Sequence, residues 1–137
     1  MIYYILFNSN LTAKETVIHF LITIFVYMIS LAIHEFSHAF VAFKCGDPTA
    51  KLAGRMTLNP FNHLNLSGFI MFIALGVGWA KPVPINPLNF KKFKQGTRAV
   101  AISGVLANFI FGLLAAIVYT ILLTTVGLSL SENLAET

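Results

Sequence analysis

The run His34-Glu35-Phe36-Ser37-His38 sets two imidazoles and a carboxylate inside residues 16–43, a stretch in which Glu35 is the only charged side chain. Residues four apart on a helix lie one above the other on the same face, so His34 and His38 can each aim a nitrogen at one ion. Glu35 stands roughly 100° around the same helix, within reach of the water such an ion carries. This is the chemistry of a catalytic metal centre with the carboxylate as base. A carboxylate at membrane depth costs about 3 kcal/mol or more unless it faces metal, water or protein interior, which makes the run a functional site rather than plain span. If the histidines were only satisfied bundle polar groups, Glu35 would need a cationic partner. No Lys or Arg occurs in residues 16–43 or 99–128.

Three apolar stretches have to position these groups: residues 16–43, 66–78 and 99–128. Of 137 residues, 57% are apolar and only 10% charged. An average soluble domain carries about a quarter charged residues, so the composition is that of an integral membrane protein. The length allows one compact bundle. The first and third stretches exceed the roughly 20 residues a span needs, whereas the 13-residue middle one has the length of a re-entrant or interfacial segment. The expected fold is therefore an all-α multi-pass membrane protein with two long spans plus a short re-entrant or third span.

Charge placement favours the re-entrant form. Residues 44–98 then lie on one side with eight of the nine basic residues, which makes that side cytosolic and puts the N-terminus outside. A spanning middle segment gives a weaker six-to-three split, with the N-terminus inside. His34 lies ten residues before Lys44 and Asn108 ten residues after Arg98. Both are thus ~15 Å deep at 1.5 Å per residue, and the two can share a site.

Between the spans, Gly46-Asp47-Pro48 and Asn59-Pro60 are turn formers. Trp79-Ala80-Lys81-Pro82-Val83-Pro84-Ile85-Asn86-Pro87 is a short extended Pro-rich segment, because alternating prolines exclude helix. It reads equally as an edge that clamps an unwound peptide and as a stiff connector. Phe90-Lys91-Lys92-Phe93-Lys94 mixes rings with cations, as expected of chain lying on anionic headgroups of the lipid bilayer. The net charge of +4 comes with no nucleic-acid signature, so no nucleic-acid partner is expected. A lone cysteine, Cys45, excludes an internal disulfide and reads as a small apolar residue. Residues 1–7 are apolar but too short for a cleavable signal peptide; they read as an interfacial anchor or the stump of an earlier helix.

The His34-Glu35-x-x-His38 run in a span, Gly46-Asp47-Pro48-Thr49-Ala50-Lys51, Leu58-Asn59-Pro60-x-x-His63, Gly78-Trp79-Ala80-Lys81-Pro82-Val83-Pro84-Ile85-Asn86-Pro87 and Ser103-Gly104-x-x-x-Asn108 together resemble the site-2 protease family. The likeness is to its compact bacterial and archaeal branch of intramembrane zinc metalloproteases and runs in order over residues 29–114. It implies a multi-pass protein of the cell membrane, one membrane-embedded metalloprotease-like domain over residues 1–137, incomplete at its C-terminal end. It also implies Zn2+ held by His34 and His38, water activated by Glu35, a membrane-protein substrate cut in or near a transmembrane segment, and Asn108 as a substrate-binding or oxyanion residue, whose residue type reads nearly as well as buried helix-packing glue. A truncated or degenerate relative that binds metal or membrane segments without cutting is the alternative.

The chain departs from the pattern in three places. The family's third zinc ligand, an aspartate in an Asp-Gly motif on a later span, has no counterpart in these 137 residues, so a further C-terminal segment or a partner chain is expected to supply it. Glu132 and Glu136 lie past the third stretch, on the wrong side to replace it. Asp47 reaches the metal only if the first helix ends early, and His63 reads as a solvated loop histidine. Val105 stands where the family has proline, and Asn65 where related sequences carry aspartate.

Overall fold

The computed structural model describes the backbone of residues 11–135 and the side chains of residues 11–125. Residues 1–7 and the side chains of Glu132 and Glu136 lie outside that description. The first helix, α1, is Ala13–Cys45. It opens on a capping box in which the Glu15 amide donates to Thr12 Oγ1 at 3.3 Å and the Thr12 amide to Glu15 Oε2 at 2.8 Å, satisfying donors that no preceding turn can take. It closes on Gly46 at φ 112°, a left-handed cap that a side chain would strain.

A single turn α2, Thr49–Leu52, and a 3-10 turn, Pro60–Asn62, lead to α3, Leu66–Leu75. Asn65 caps α3 by accepting from the Gly68 amide at 3.0 Å, a task its amide oxygen performs as well as a carboxylate would. A second 3-10 turn, Pro87–Asn89, precedes the long α4, Phe93–Ala135. The ladder-free stretch between α3 and that turn is neither helix nor strand, and among the described residues the one bridge outside helices is the antiparallel contact of Leu64 with Ala80.

That bridge determines the course of the middle segment. The Lys81 amide donates to the His63 carbonyl at 2.8 Å, so the chain leaves into α3 and returns to the level it left. A ten-residue helix is only about 15 Å long, half the hydrocarbon thickness, so α3 is shorter than a span requires. By contrast α1 and residues 93–125 of α4 are long and apolar enough to cross a membrane. The fold is thus all-helical, with two helices able to span and one short apolar helix.

α1 packs chiefly on α4. Its buried face is made of Ala32, Ala39 and Ala42, and small residues let a neighbouring backbone come close. Ala39 meets Val83 of the Pro-rich stretch and Ala50 of α2, while Ala42 meets Phe90 and Val100 of α4. Large apolar side chains such as Phe25, Val26, Phe109 and Leu113 face outward, as suits helices whose solvent is lipid rather than water.

Candidate metal centre

α4 and the Pro-rich stretch meet the middle of α1. His34 and His38 stand one turn apart on its inner face, with their Nε2 atoms 3.0 Å apart and rings at 84°. Two nitrogens held about 2.05 Å from a tetrahedral zinc are about 3.3 Å apart, so the pair has nearly the spacing of two ligands of one ion.

The proton on His38 can be placed. Its Nδ1 lies 2.7 Å from the Val100 carbonyl, which only accepts, and 3.1 Å from Ser103 Oγ. Nδ1 therefore carries the hydrogen and donates, and Nε2 presents a lone pair toward His34. Ser103 Oγ itself donates to the same carbonyl at 2.8 Å, which holds the acceptor in place.

His34 is served by Asn108, whose Nδ2 stands 3.4 Å from His34 Nδ1 while its Oδ1 is buried without a partner. In that state His34 accepts at Nδ1 and donates from Nε2 to His38. For His34 to offer Nε2 to a metal, its proton must move to Nδ1. The Asn108 amide, turned over, then accepts it through the orphaned oxygen. The donor chemistry thus suits two zinc ligands. Among the described residues no third His, Cys, Asp or Glu joins them.

Gly104 is what lets α4 approach. A Cβ there would lie 2.6 Å from His34 Cε1 and 2.6 Å from His38 Nε2, so any side chain at this position would occupy the imidazoles' space. Glu35 is 6% exposed and its Oε2 accepts from the Val83 amide at 2.9 Å. The Pro-rich stretch therefore fixes one carboxylate oxygen and leaves the other free to accept, and Glu35 lines a cavity of about 260 Å3. Tyr27, Ser30, His34, Glu35, Trp79 and Asn108 are among its lining residues.

The two other sequence candidates lie elsewhere. α1 continues to Cys45, so Asp47 cannot fold back to His38. Fully buried, it accepts at Oδ1 from the Thr49 amide, the Thr49 hydroxyl and Asn89 Nδ2 at 2.8 Å, and at Oδ2 from the Asn86 amide at 2.7 Å. Burial pushes its carboxyl upward, but the bonds from Thr49, Asn89 and Asn86 outweigh that and hold it below the usual aspartate range. Asp47 ties the end of α1 to the chain entering α4. His63 is not solvated as expected: it is fully buried, with Nε2 at 2.8 Å from the Thr57 carbonyl and Nδ1 unpartnered. The turn at Pro60–Asn62 and the bridge to Ala80 enclose it.

Sequence reasoning quoted Ser103 and Gly104 within a motif but gave neither a role of its own, and it gave none to Tyr27 or to the backbone groups of Val83 and Val100. The signal that could have singled out Gly104 is a glycine in mid-helix four residues before a half-buried asparagine.

No protein-family model matches the chain, and no solved structure matches it. Among curated proteins it is 46% identical over 83 residues to "Putative zinc metalloprotease YwhC" of Bacillus subtilis, covering 61% of this chain and 38% of that protein. It is 31% identical over 100 residues to "Putative zinc metalloprotease Rip2" of Mycolicibacterium smegmatis, covering 69% of this chain and 38% of that one. The Mycobacterium tuberculosis protein of the same name is 41% identical over 61 residues, 42% of this chain and 24% of its own length. The match thus spans under two fifths of each relative.

Proposed function

Because the chain is related over its matched part to the site-2 protease family of zinc metalloproteases, we propose that it forms the zinc-binding half of an intramembrane metalloendopeptidase. On this reading it cuts a peptide bond in or near a transmembrane segment of another protein, in the cell membrane. The observation that carries the proposal is the convergence of His34 and His38 nitrogens, 3.0 Å apart, beside a buried Glu35, in a helix long and apolar enough to span.

His34 and His38 would hold zinc there, and the ion would supply a bound water made more acidic and a Lewis acid for the scissile carbonyl. The chain's own groups do the rest. Glu35, held through Oε2 by Val83, takes a proton at Oε1 from the attacking water and returns it to the leaving amine. His38 keeps its tautomer through Val100 and Ser103. Asn108, once its oxygen accepts from His34, turns its NH2 toward the cavity as a donor for the substrate carbonyl. The Pro-rich stretch runs beside Glu35 with few ladder bonds of its own, in keeping with a clamp for an unwound substrate.

Catalytic zinc takes three protein ligands, and two are present among the described residues. We assign the third to chain beyond these residues or to a partner chain. The same count supports the second reading, a relative that binds metal or membrane segments without cleavage. Metal analysis of the detergent-purified protein separates the readings. His38→Ala should lose zinc, and Glu35→Gln should keep zinc while losing cleavage of a membrane-tethered substrate. Equal zinc in wild type and His38→Ala would sink the ligand assignment, and cleavage retained by Glu35→Gln would sink the base.

A further inference from the structure

The catalytic reading leaves one buried polar group of the cavity unused. Tyr27 stands two turns before His34 on α1, and its hydroxyl is buried without a hydrogen-bond partner. Its ring is stacked on Phe72 of α3, centroids 3.9 Å apart and planes at 13°, so the direction of the hydroxyl is preset. Gly78 makes room for it: a Cβ at that position would lie 2.7 Å from Tyr27 Oη. A buried, unpaired hydroxyl destabilises a fold, and phenylalanine would make the same stack without that penalty. Tyr27 lines the cavity that is also lined by His34, Glu35 and Asn108, whose Oδ1 is a second orphaned group.

We propose that Tyr27 is a substrate-binding residue, its hydroxyl donating to a backbone carbonyl of a peptide held extended along the inner face of α1. Seven residues of helix separate Tyr27 from His34, about 10 Å of axial rise. An extended chain advances about 3.3 Å per residue, so the bonded carbonyl lies about three residues from the bond at the metal pair. An extended strand turns alternate carbonyls the same way, and a donor at this offset fixes the register of the substrate as well as its affinity. This rests on the peptidase reading and adds to it a subsite that demands an unwound segment rather than a helix, whose carbonyls are already bonded internally.

The test measures binding to the chain in nanodiscs of a diether phospholipid, which brings no ester carbonyl to compete. The probe is a fluorescent peptide with a Leu-rich transmembrane anchor and a Gly-Ala segment, and every protein carries Glu35→Gln to prevent cleavage. Tyr27→Phe should raise the dissociation constant about three- to tenfold, the loss of one neutral hydrogen bond. The melting midpoint of the free protein should stay equal or rise. A thioamide scan of the probe should find one position that weakens binding to the Tyr27 protein and not to Tyr27→Phe. Equal affinity of the two proteins, or a melting midpoint that falls together with affinity, would overturn the Tyr27 assignment alone. Failure of the Tyr27 protein to bind any such peptide would overturn the peptide-site reading and this subsite with it.

Discussion

Gly104→Ala places a single methyl group where the structure has least room for one. The new carbon would lie 2.6 Å from His34 Cε1 and His38 Nε2 and 2.7 Å from His34 Nε2, short of ordinary contact by about 0.8 Å. His38 cannot retreat freely, because its Nδ1 is held by Val100 and Ser103 on the same helix that carries the methyl. Metal–ligand distances tolerate shifts of only about 0.2 Å, so at least one imidazole leaves its ligating position. Disturbing ligand orientation typically lowers metal affinity about 10- to 100-fold, and that range is expected here. The alanine is at the same time the better helix former by up to about 1 kcal/mol, so stability should not fall in proportion. Gly112, on the same helix with nothing within 4 Å of its would-be Cβ, is the control: Gly112→Ala should leave zinc unchanged. The assay is a chelator-competition titration of zinc against wild type, Gly104→Ala and Gly112→Ala, with melting midpoints alongside. Wild-type affinity in Gly104→Ala would refute the close approach of α4 to the imidazole pair. Equal losses in both variants would refute its specificity.

Asp47→Ala should cost about 3 kcal/mol of stability, read by denaturant titration, because it strands donors from Thr49, Asn86 and Asn89. Since the folded carboxyl is held below the unfolded value of about 3.9, its contribution is full above that pH and lost as pH falls through the lower folded value; the acid side of the wild-type stability profile should flatten in Asp47→Asn. Cysteines replacing Lys51 and Lys92, in a Cys45→Ala background, should be labelled from one and the same side, given the return of the chain at Leu64 and Ala80; labelling from opposite sides would exclude the re-entrant course. Extending the chain with a following span that carries an Asp-Gly motif should raise both zinc content and Glu35-dependent cleavage; full activity of residues 1–137 alone would refute the missing-ligand argument.

The convergence of His34 and His38 beside Glu35 was legible because the arrangement is local. An i, i+4 pair of histidines on any continuous helix faces one way, and the apolar run around it guarantees the helix. The two long helices and the short middle one follow equally from counts of apolar residues against bilayer thickness. Asp47 and His63 show where residue type stops being informative. Each could bind a metal in isolation; one is consumed by turn amides from residues about forty positions away, the other buried under its own loop. Likewise the tautomer of His38, the anchoring of Glu35 and the room beside the imidazoles depend on the Val100 carbonyl, the Val83 amide and a missing side chain at Gly104. Backbone groups are the same at every position, so no pattern of side chains marks which of them will face a site. The packing of α4 and the Pro-rich stretch against the alanine face of α1 selects them, through contacts between residues distant in sequence, and only the tertiary structure decides that.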